Sequence, residues 1–385
     1  MNDSTDSTSP LSIITEVNLQ NWRNLKDVQI GLRPANYLIG PNAAGKSNFL
    51  DAIYFCRDCA TIGIEQAVRN RGGMREIRSL HSHRHNEVAI GLTFRSRNDR
   101  AWSYFLSITG KDEVEVVAET ASCDGDLLLN RGRNTSNDRE AAGQTFLQQM
   151  GMNKDFRPIT NFLRSVAYLH PVPQLMRHAG KATMVSDDPY GSDLIERIAS
   201  VPSKRRDVRL ARISESLKEA IPGLRGIEVQ EDARDGRHNL SFRFANWRPR
   251  GTYQDESSMS DGTLRLVGLL WALQEKGGPL LLEEPEQSLH PELVMRLPLL
   301  FARMQREFSR QLVISTHSPY MFCNGVEPDE VLVFRPSEGG SKITHASRDL
   351  ELMRQVEAGR PLSEALADRS GPHLSRVSTL FEFMG

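Results

Sequence analysis

The segment 40–47, Gly-Pro-Asn-Ala-Ala-Gly-Lys-Ser, has the residue types and spacing of a loop that binds phosphate groups. It follows an apolar run at 37–39 and leads into a helix-like segment that starts at Ser47. The two glycines let the backbone curl so that successive N–H groups point inward, and the helix N-terminus adds positive potential. In such a loop the Lys46 ammonium reaches the β- and γ-phosphates, and the Ser47 hydroxyl binds the Mg²⁺ that bridges them. A glycine-rich turn capped by Ser47 is the alternative interpretation.

Two carboxylates follow a second apolar run, the three leucines at 280–282. Ligand chemistry in α/β sheets is placed at the carboxyl ends of strands, which is where Glu283 and Glu284 would lie. Glu283 is suited to hold Mg²⁺ directly or through water. Glu284 is suited to polarise the attacking water, a role worth about 10²- to 10⁴-fold in rate. An acidic turn after a core strand is the alternative.

A histidine follows a third apolar run, 312–314, in the segment Ser-Thr-His-Ser-Pro at 315–319. If this run is a strand of the same sheet, His317 emerges at the same edge as Glu284, where it can contact the γ-phosphate. The alternative is a histidine with a structural role only.

Composition and charge bound the class of protein. With 385 residues, ordinary apolar and charged fractions and a formal net charge of -1, the chain can bury a substantial core in more than one domain. The charge gives no global attraction to nucleic acid, so such binding would depend on local basic patches. The sequence lacks an apolar run of about 20 residues, and 1–10 lacks the order of a secretory signal, so we predict a cytoplasmic protein.

Two groups of potential metal ligands have weaker support. Cys56 and Cys59 form a lone C-x2-C pair inside the helix that follows the phosphate-binding segment, and we predict buried thiols rather than a zinc site. The histidines at 81, 83 and 85 alternate as strand residues would, and no cysteine or acidic ligand is spaced to complete a site. We interpret them as part of a solvated strand or loop.

The apolar pattern predicts antiparallel strands early in the chain and helix-strand alternation late in it. The early strands are 13–19, 28–32, 88–94, 102–108 and 114–118. The late elements are helix 264–274, strand 279–282, helix 291–308 and strand 311–314, an order that implies a parallel sheet. Between them, 121–143 is rich in Asn, Asp, Gly and Arg and is predicted to form a surface loop or hairpin tips rather than core. A strand is predicted at 166–169 and helices at 193–201 and 205–221.

Four motifs together, GPNAAGKSN, SSMSDGTLR, LLLEEPEQSLHP and STHSP, resemble those of ATP-binding-cassette (ABC) ATPases of the SMC/RecF class. The resemblance is greatest to short stand-alone predicted ATPases related to the ATPase half of the overcoming-lysogenization-defect (OLD) nucleases. It covers 13–94 and 259–334. It implies an ATPase that uses ATP and Mg²⁺, with an α/β fold: an ABC-ATPase head with a P-loop core sheet and an antiparallel β subdomain, plus an inserted, largely helical lobe.

The predicted organisation follows from this resemblance. We predict the first part of the head at 11–120, the inserted lobe at 121–225, the second part of the head at 226–346 and a helical tail at 347–385. The composition of 1–10, rich in Ser, Thr, Asp and Asn, predicts a disordered tail there. The predicted nucleotide contacts in the loop are Asn42, Ala43, Ala44, Gly45, Lys46, Ser47 and Asn48. The segment around Arg23 and Asn24 resembles the N-F-R-N element of RecF-type ATPases and adds these two residues to the nucleotide site.

The resemblance also implies that Ser260, Asp261 and Gly262 form the signature loop, which contacts the γ-phosphate bound by the opposite subunit of an ATP-sandwiched homodimer. This is physically reasonable, because Ser260 can cap a helix and the Gly262 backbone can approach an anion closely. A plain capped helix start is the alternative. The segment 288–291 resembles the D-loop that links the two sites.

Three positions depart from the commonest ABC pattern. Ala43 stands where many members have Gly, Asp261 replaces the first Gly of the signature, and Glu283 replaces the usual Asp. The longer Glu283 side chain changes the expected metal geometry. Asp261 brings a negative charge near the expected phosphate, which would slow turnover unless it points away or pairs with Arg265.

For the biological role, the resemblance implies a DNA-acting ATPase. Two basic stretches, 69–84 and 204–212, are candidates for double-stranded DNA contacts, with Lys204, Arg205, Arg206 and Arg209 as the named residues. A solvated helix face is the alternative for the second stretch.

The remaining roles concern partners. The segment after His317 lacks the acidic cluster of an OLD nuclease, so a separately encoded effector, such as a nuclease in anti-phage defence or DNA repair, is expected by analogy. A slowly hydrolysing protein scaffold without direct DNA binding is the alternative. An ABC transporter subunit is disfavoured by the long separation between Lys46 and Ser260 and by the absence of a membrane segment from the sequence.

Overall fold

The computed structural model describes residues 11–79, 87–111, 113–132, 143–177, 188–231, 236–245 and 251–370. The predicted tail at 1–10, the histidines at 81, 83 and 85, and the end of the predicted C-terminal tail, 371–385, lie outside the described residues. In the described ranges the strands form two six-stranded sheets and one three-stranded sheet. None of the helices in those ranges combines the length and apolarity needed to span a bilayer.

Fifteen strands are named in chain order below. They are β1 (Leu11–Trp22), β2 (Leu25–Gly31), β3 (Ala35–Ile39), β4 (Val88–Ser96), β5 (Ala101–Gly110), β6 (Val114–Cys123), β7 (Asp126–Arg131), β8 (Ala167–Leu169), β9 (Leu224–Glu231), β10 (His238–Phe244), β11 (Thr252–Asp255), β12 (Leu280–Glu283), β13 (Leu312–Thr316), β14 (Val331–Ser337) and β15 (Gly340–His345).

The helices of the described ranges are numbered in the same way. They are α1 (Lys46–Thr61), α2 (Ile64–Arg69), α3 (Met74–Ile77), α4 (Arg157–Arg164), α5 (Pro173–Arg177), α6 (Leu194–Ser200), α7 (Ser203–Leu217), α8 (Asp261–Leu273), α9 (Pro291–Phe308), α10 (Leu350–Glu357) and α11 (Leu362–Ser370).

The parallel sheet carries the three segments that the sequence singled out for their chemistry. Its strand order is β15-β14-β3-β13-β12-β8, and all neighbours except the β14-β15 hairpin run parallel. Every residue of β3 and β13 is buried, as expected for apolar strands covered on both faces. The carboxyl ends of β3, β12 and β13 therefore lie side by side at one edge. The helix-strand alternation predicted from Ser260 onward is confirmed.

The antiparallel sheet has the order β2-β1-β4-β5-β6-β7, as the alternating pattern predicted for its first five strands. Its buried side chains share one apolar cluster with α1. Gln311, just before β13, joins the two large sheets. Its side-chain amide accepts a hydrogen bond from the Ile14 N–H at 2.8 Å and donates to the carbonyls of Ile14 at 2.7 Å and Arg33 at 2.9 Å. This fully satisfied amide ties β1 to the strand that carries His317.

Helix α1 lies inside the core, which explains its two cysteines. Cys56 and Cys59 are both fully buried, and burial raises the pKa of the Cys56 thiol to about 12. The predicted buried thiols are confirmed. Helix α8 is buried along almost its whole length and belongs to a second apolar cluster, on the other face of the parallel sheet.

The interval 121–143 differs from its prediction. Residues 126–131 form β7, the last strand of the antiparallel sheet, and Ala121, Cys123 and Arg131 are buried. Among the described residues of this interval, 121–132 and 143, the turn at 124–125 is a predicted hairpin tip, whereas the strands on either side of it belong to the sheet, so the prediction that these residues lie outside the core is wrong. In the described part of the interval, Asp124 and Gly125 form the turn, and the leucines at 127–129 lie in the edge strand that follows it.

The interval 121–225, predicted as an inserted lobe, also contributes to the head. Strand β8 pairs parallel with β12 in the central sheet, with Leu169 opposite Leu282. Helices α6 and α7 instead pack against the three-stranded sheet of order β11-β10-β9. The head therefore includes elements on both sides of the boundary predicted at residue 121. Strand β8 also brings a segment of this interval to the sheet edge at which β3, β12 and β13 end.

Candidate active site

The phosphate-binding loop joins β3 to α1 through a tightly packed backbone. Gly45 is the N-cap of α1 with φ 95°, and a Cβ at this position would lie 2.6 Å from the Asn24 side-chain oxygen. Ala43 also has a left-handed φ of 61°. A Cβ on Gly40 would meet the Phe334 carbonyl at 2.5 Å. Glycine is therefore required at both ends of the loop.

Lys46 projects back across this loop. Its ammonium donates to the carbonyls of Gly40 at 2.8 Å and Pro41 at 3.1 Å, and lies 3.4 Å from His317 Nδ1. Only 5% of the residue is exposed, and burial lowers the pKa of Lys46 to about 8, against the opposing effect of Glu284 and other carboxylates nearby. This buried cation is held within the loop, where it is placed to bind phosphate anions.

Ser47 and Glu283 form the oxygen-donor pair of the site. The Ser47 hydroxyl donates to Glu283 Oε1, and the Tyr168 hydroxyl donates to Glu283 Oε2. His170 Nδ1 lies 3.3 Å from the same Oε2 atom. Burial pushes the pKa of Glu283 upward, but hydrogen bonds from His170, Ser47 and Tyr168 outweigh it and lower the pKa to about 2. Glu283 is thus a carboxylate at any physiological pH.

These donors fit Mg²⁺. A hydroxyl and an ionised carboxylate are hard oxygen ligands, and Mg²⁺ is usually held by one or two such groups together with substrate phosphates and water. Within the described ranges, clusters of three or more His, Cys, Asp or Glu side chains arranged for a metal ion are absent. Ser47 and Glu283 are therefore suited to a cation that arrives with its phosphates rather than to a metal caged by protein alone.

Glu284 and His317 meet at the same edge, where the sequence placed them. His317 Nε2 lies 2.8 Å from Glu284 Oε1, and Gln287 donates its amide to Glu284 Oε2. Because the Lys46 ammonium only donates, His317 Nδ1 accepts, and Nε2 carries the proton toward Glu284. The hydrogen bond from His317 lowers the pKa of Glu284, so this carboxylate is ionised and can accept a hydrogen bond from water.

Glu286 holds the turn that carries His317. Its Oε1 atom accepts hydrogen bonds from the Thr316 hydroxyl at 2.5 Å and the His317 N–H at 3.1 Å. Only 9% of Glu286 is exposed, and burial raises the pKa of its carboxyl group. The acidic loop after β12 and the histidine loop after β13 are therefore locked to each other.

The predicted signature residues begin α8. Ser260 is its N-cap and accepts a hydrogen bond from the Thr263 N–H at 3.2 Å, which confirms the predicted cap. Of the two ways considered for Asp261 to avoid the phosphate, pointing away or pairing with Arg265, the ion pair with Arg265 is not formed. Its carboxylate binds Arg177 Nη2 at 2.6 Å and the Gln174 amide at 3.2 Å. The guanidinium of α5 thus offsets the charge at this position.

Gly262 lies against the segment predicted as the D-loop. A Cβ on Gly262 would approach the Ser288 carbonyl to 2.7 Å, so the two backbones can meet only because residue 262 is glycine. The start of α8 and the loop at 288–290 are therefore in backbone contact and form one continuous surface.

Arg23 and Asn24 lie beneath the phosphate-binding loop. Asn24 donates to the Ala43 carbonyl at 3.0 Å, and Asn48 donates to the Asn24 side chain at 2.8 Å. Arg23 binds the Asn48 side chain at 3.2 Å and Asp51 at 2.9 Å. Asn24 therefore supports the loop from below, and Arg23 is held at the first turns of α1.

The candidate DNA contacts on α7 are not equivalent. Lys204 and Arg205 are exposed. Arg206 is half-buried and bonds the Ala199 carbonyl at 3.4 Å, and the guanidinium of Arg209 lies 5.3 Å from the Trp271 ring centroid. Of the four named residues, Lys204 and Arg205 are therefore the two that face solvent; Arg212, further along the same helix, is also exposed but is paired with Glu307 at 3.1 Å. The other basic stretch, 69–84, lies partly outside the described residues.

Six residues of this site were missed from sequence. They are Tyr168 and His170 at the end of β8, Gln174 and Arg177 on α5, and Glu286 and Gln287 in the loop after β12. The available signal was the predicted strand at 166–169. Applying to it the same strand-end argument used for β12 and β13 would have singled out His170.

Comparisons with known proteins agree with this geometry. A family model described as "AAA domain, putative AbiEii toxin, Type IV TA system" matches residues 35–322. The DNA replication and repair protein RecF of Erwinia tasmaniensis is 31% identical over 137 residues, a match that covers 31% of this chain and 35% of the relative. The chain thus matches about a third of the length of that curated relative.

Solved structures share the fold. The SmcHead bound to the C-winged helix domain of ScpA superposes with a TM-score of 0.55 at 16% identity, covering 86% of this chain and 97% of that one. The Smc head domain with an extended coiled coil from Pyrococcus furiosus, bound to the C-terminal domain of ScpA, gives 0.53 at 12% identity, with coverages of 90% and 99%. At these identities the similarity is one of fold.

Proposed function

Because the chain belongs to the AAA-domain family whose model matches residues 35–322, and has the fold of an SMC head, we propose that it binds and hydrolyses ATP with Mg²⁺. The single observation that supports this most is the contact chain Lys46–His317–Glu284, with distances of 3.4 Å and 2.8 Å, beside the Ser47–Glu283 pair. These groups come from the ends of three neighbouring parallel strands. They are the charges and donors that phosphoryl transfer to water requires.

In the proposed reaction the loop N–H groups and Lys46 bind the β- and γ-phosphates. Ser47 and Glu283 hold the Mg²⁺ ion, which when bound neutralises charge on the phosphate oxygens. Glu284 orients a water molecule for in-line attack on the γ-phosphorus and takes its proton as the bond to the bridging oxygen breaks, giving ADP and phosphate. His317 donates to Glu284 and keeps its carboxylate directed into the site.

We also propose that two chains dimerise around ATP through the surface formed by Ser260, Gly262 and the loop at 288–290. The supporting observations are the helix N-terminus with its Ser260 cap, and an Asp261 carboxylate whose charge Arg177 offsets. A helix N-terminus of this kind favours an anion such as the γ-phosphate bound by the opposite chain.

For the biological role we propose action on double-stranded DNA or gating of a separately encoded effector, such as a nuclease in anti-phage defence or DNA repair. The similarity to RecF, a DNA replication and repair protein, supports the first. Two SMC heads of this fold are bound to domains of a partner protein, ScpA, which supports the second. On this chain Lys204 and Arg205 are the proposed DNA contacts, because both are exposed.

The test is steady-state ATP hydrolysis by the purified chain, with and without linear duplex DNA, at low and high salt. The Lys46→Ala variant provides the blank, and hydrolysis no faster than this blank would refute the proposed activity. DNA stimulation that disappears at high salt supports phosphate contacts, because counterion release makes such binding salt-dependent.

A paired substitution locates the DNA contacts. Replacing Lys204 and Arg205 by Ala is expected to remove the stimulation and leave the basal rate unchanged. Lys342→Ala, at an exposed position on β15, is the matched control and should keep the stimulation. A basal rate that ignores DNA would favour a scaffold or an effector-gated ATPase.

A further inference from the structure

Arg265 is a buried cation on the signature helix α8 whose hydrogen-bonding capacity is largely unused. Only 4% of the residue is exposed. Its Nη2 atom lies 3.4 Å from Gln287 Oε1, and within the described ranges Nε and Nη1 have no hydrogen-bond partner. Leaving buried donors unpaired destabilises a fold, so this arginine is costly as a structural element. Its contact with Gln287 points toward the acidic loop after β12, which also carries Glu284.

Gln287 lies between this arginine and the catalytic carboxylate. Its oxygen faces Arg265, and its amide nitrogen donates to Glu284 Oε2. The other carboxylate oxygen of Glu284 is bonded by His317 at 2.8 Å. Glu284 is therefore held from two sides, by a histidine from the β13 loop and by a glutamine from its own loop.

The orientation of the Gln287 amide depends on Arg265. A side-chain amide has an acceptor end and a donor end, whereas guanidinium only donates and carboxylate only accepts. With its acceptor end on Arg265, the donor end must face Glu284. Without the guanidinium, that orientation has one fewer contact to favour it. The negative charges of Asp261, Glu286 and Glu284 all act on the Arg265 guanidinium. The cation therefore lies between the predicted signature loop and the acidic loop after β12.

The strained main-chain conformation at Glu284 is the reason why its side chain needs this support. Glu284 has a left-handed φ of 45°, and its N–H bonds the Ser315 carbonyl at 3.0 Å. A strained backbone of this kind persists only when surrounding contacts over-determine it. The backbone bond fixes the start of the side chain, and His317 and Gln287 fix its end.

We propose that Gln287 and Arg265 are positioning residues for ATP hydrolysis. They orient the Glu284 carboxylate from the signature helix, one turn beyond the residues proposed to meet the opposite nucleotide. This inference rests on the proposed ATPase function and deepens it.

The test compares Gln287→Ala, Arg265→Met and the double variant with the wild-type chain. Gln287 is exposed, so Gln287→Ala keeps the fold. Each single variant is expected to lower kcat about 10-fold, a modest part of what a general base contributes, with KM for Mg·ATP within about twofold. Because the two residues act in series, the double variant should be no worse than the poorer single variant.

Two further measurements separate positioning from a structural role. Arg265→Met replaces an underused buried cation by an apolar side chain of similar length, so the thermal unfolding midpoint should be unchanged or higher. Arg265→Lys keeps a cationic donor and should retain more of kcat than Arg265→Met. Gln274→Ala is the matched control, because Gln274 is a buried glutamine at the other end of the same helix. It should keep wild-type kcat.

The outcomes are distinct. Wild-type hydrolysis with unchanged kcat in Gln287→Ala and Arg265→Met overturns the positioning role and leaves the ATPase intact. Additive losses in the double variant, or a fall in the unfolding midpoint that parallels kcat, also overturn it. Wild-type hydrolysis no faster than Lys46→Ala overturns the proposed function itself.

Discussion

Arg177 binds both the side chain of Asp261 and the main-chain carbonyl of Met259, at 2.6 Å in each case. The two contacts lie on either side of Ser260, so one guanidinium fixes the conformation of the whole signature loop. The same contacts place a positive charge beside the carboxylate that replaces the commoner glycine. The aspartate at this position is therefore compatible with an anion nearby.

This relationship predicts the effect of Arg177→Ala. In the proposed ATP-sandwiched dimer, the variant leaves the Asp261 charge uncompensated beside the phosphate of the opposite nucleotide, so the rate of ATP hydrolysis should fall about 10-fold or more. Nucleotide binding by one chain should be retained, because the loop at 40–47 is untouched. Adding Asp261→Gly to the variant should restore most of the rate, since the repelling charge is then gone. If the double variant stays as slow as Arg177→Ala, charge compensation is not the role of this arginine.

Glu284→Gln gives the prediction for the proposed base. The amide keeps the size of the carboxylate but cannot take a proton, so kcat should fall about 10²- to 10⁴-fold. In the ATP-sandwich scheme the variant should also accumulate as a dimer with Mg·ATP, measured by size-exclusion chromatography with light scattering. Lys46→Ala should remain monomeric under the same conditions. Normal turnover by Glu284→Gln would remove Glu284 from the mechanism.

How much of the site the sequence predicts depends on how each contact is made. Lys46, Glu284 and His317 could be placed together because each follows an apolar run, and parallel strands end at one edge. The partner of Asp261 could not be predicted in this way. Arg265, four residues along the same helix, was the local candidate, but Arg177 lies 84 residues earlier in the chain and reaches both Asp261 and the Met259 carbonyl. A contact between helices so far apart in sequence is set by tertiary packing.

The fold shows the same limit. Strands with clear alternation, such as β1 and β4, were predictable, whereas β7 was hidden by the polar residues of its turn and edge. Strand β8 was recognised as a strand, but its place beside β12 depends on the sheet order. That place brings Tyr168 and His170 to Glu283.

Stability should depend on pH through His345, the last residue of β15. Burial lowers the pKa of His345, whose Nδ1 atom lies 3.1 Å from the Asp329 carbonyl. Below the ordinary pKa of 6.5 the unfolded chain takes up a proton that the folded chain resists. The unfolded state then binds more protons, so the free energy of unfolding falls as pH falls through this range.

The check for His345 is thermal unfolding at pH 7.5 and pH 5.5. His345→Gln removes the titrating group, so its unfolding midpoint should fall less between the two buffers than that of the wild-type chain. Equal falls in the two proteins would mean that other groups carry the acid sensitivity.

Two glycines of α8 predict opposite outcomes for the same substitution. In Gly262→Ala the new Cβ would lie 2.7 Å from the Ser288 carbonyl, a backbone atom that cannot move without shifting the loop after β12. In Gly268→Ala the nearest atom, at 3.2 Å, is the terminal methyl of Met176, which can rotate away. Alanine is favoured over glycine inside a helix by about 1 kcal/mol, which offsets the remaining crowding at residue 268. Gly268→Ala should therefore keep both ATP hydrolysis and the unfolding midpoint, whereas Gly262→Ala should lower hydrolysis severalfold or more. Equal rates in the two variants would show that the contact between the start of α8 and the loop at 288–290 does not matter for turnover.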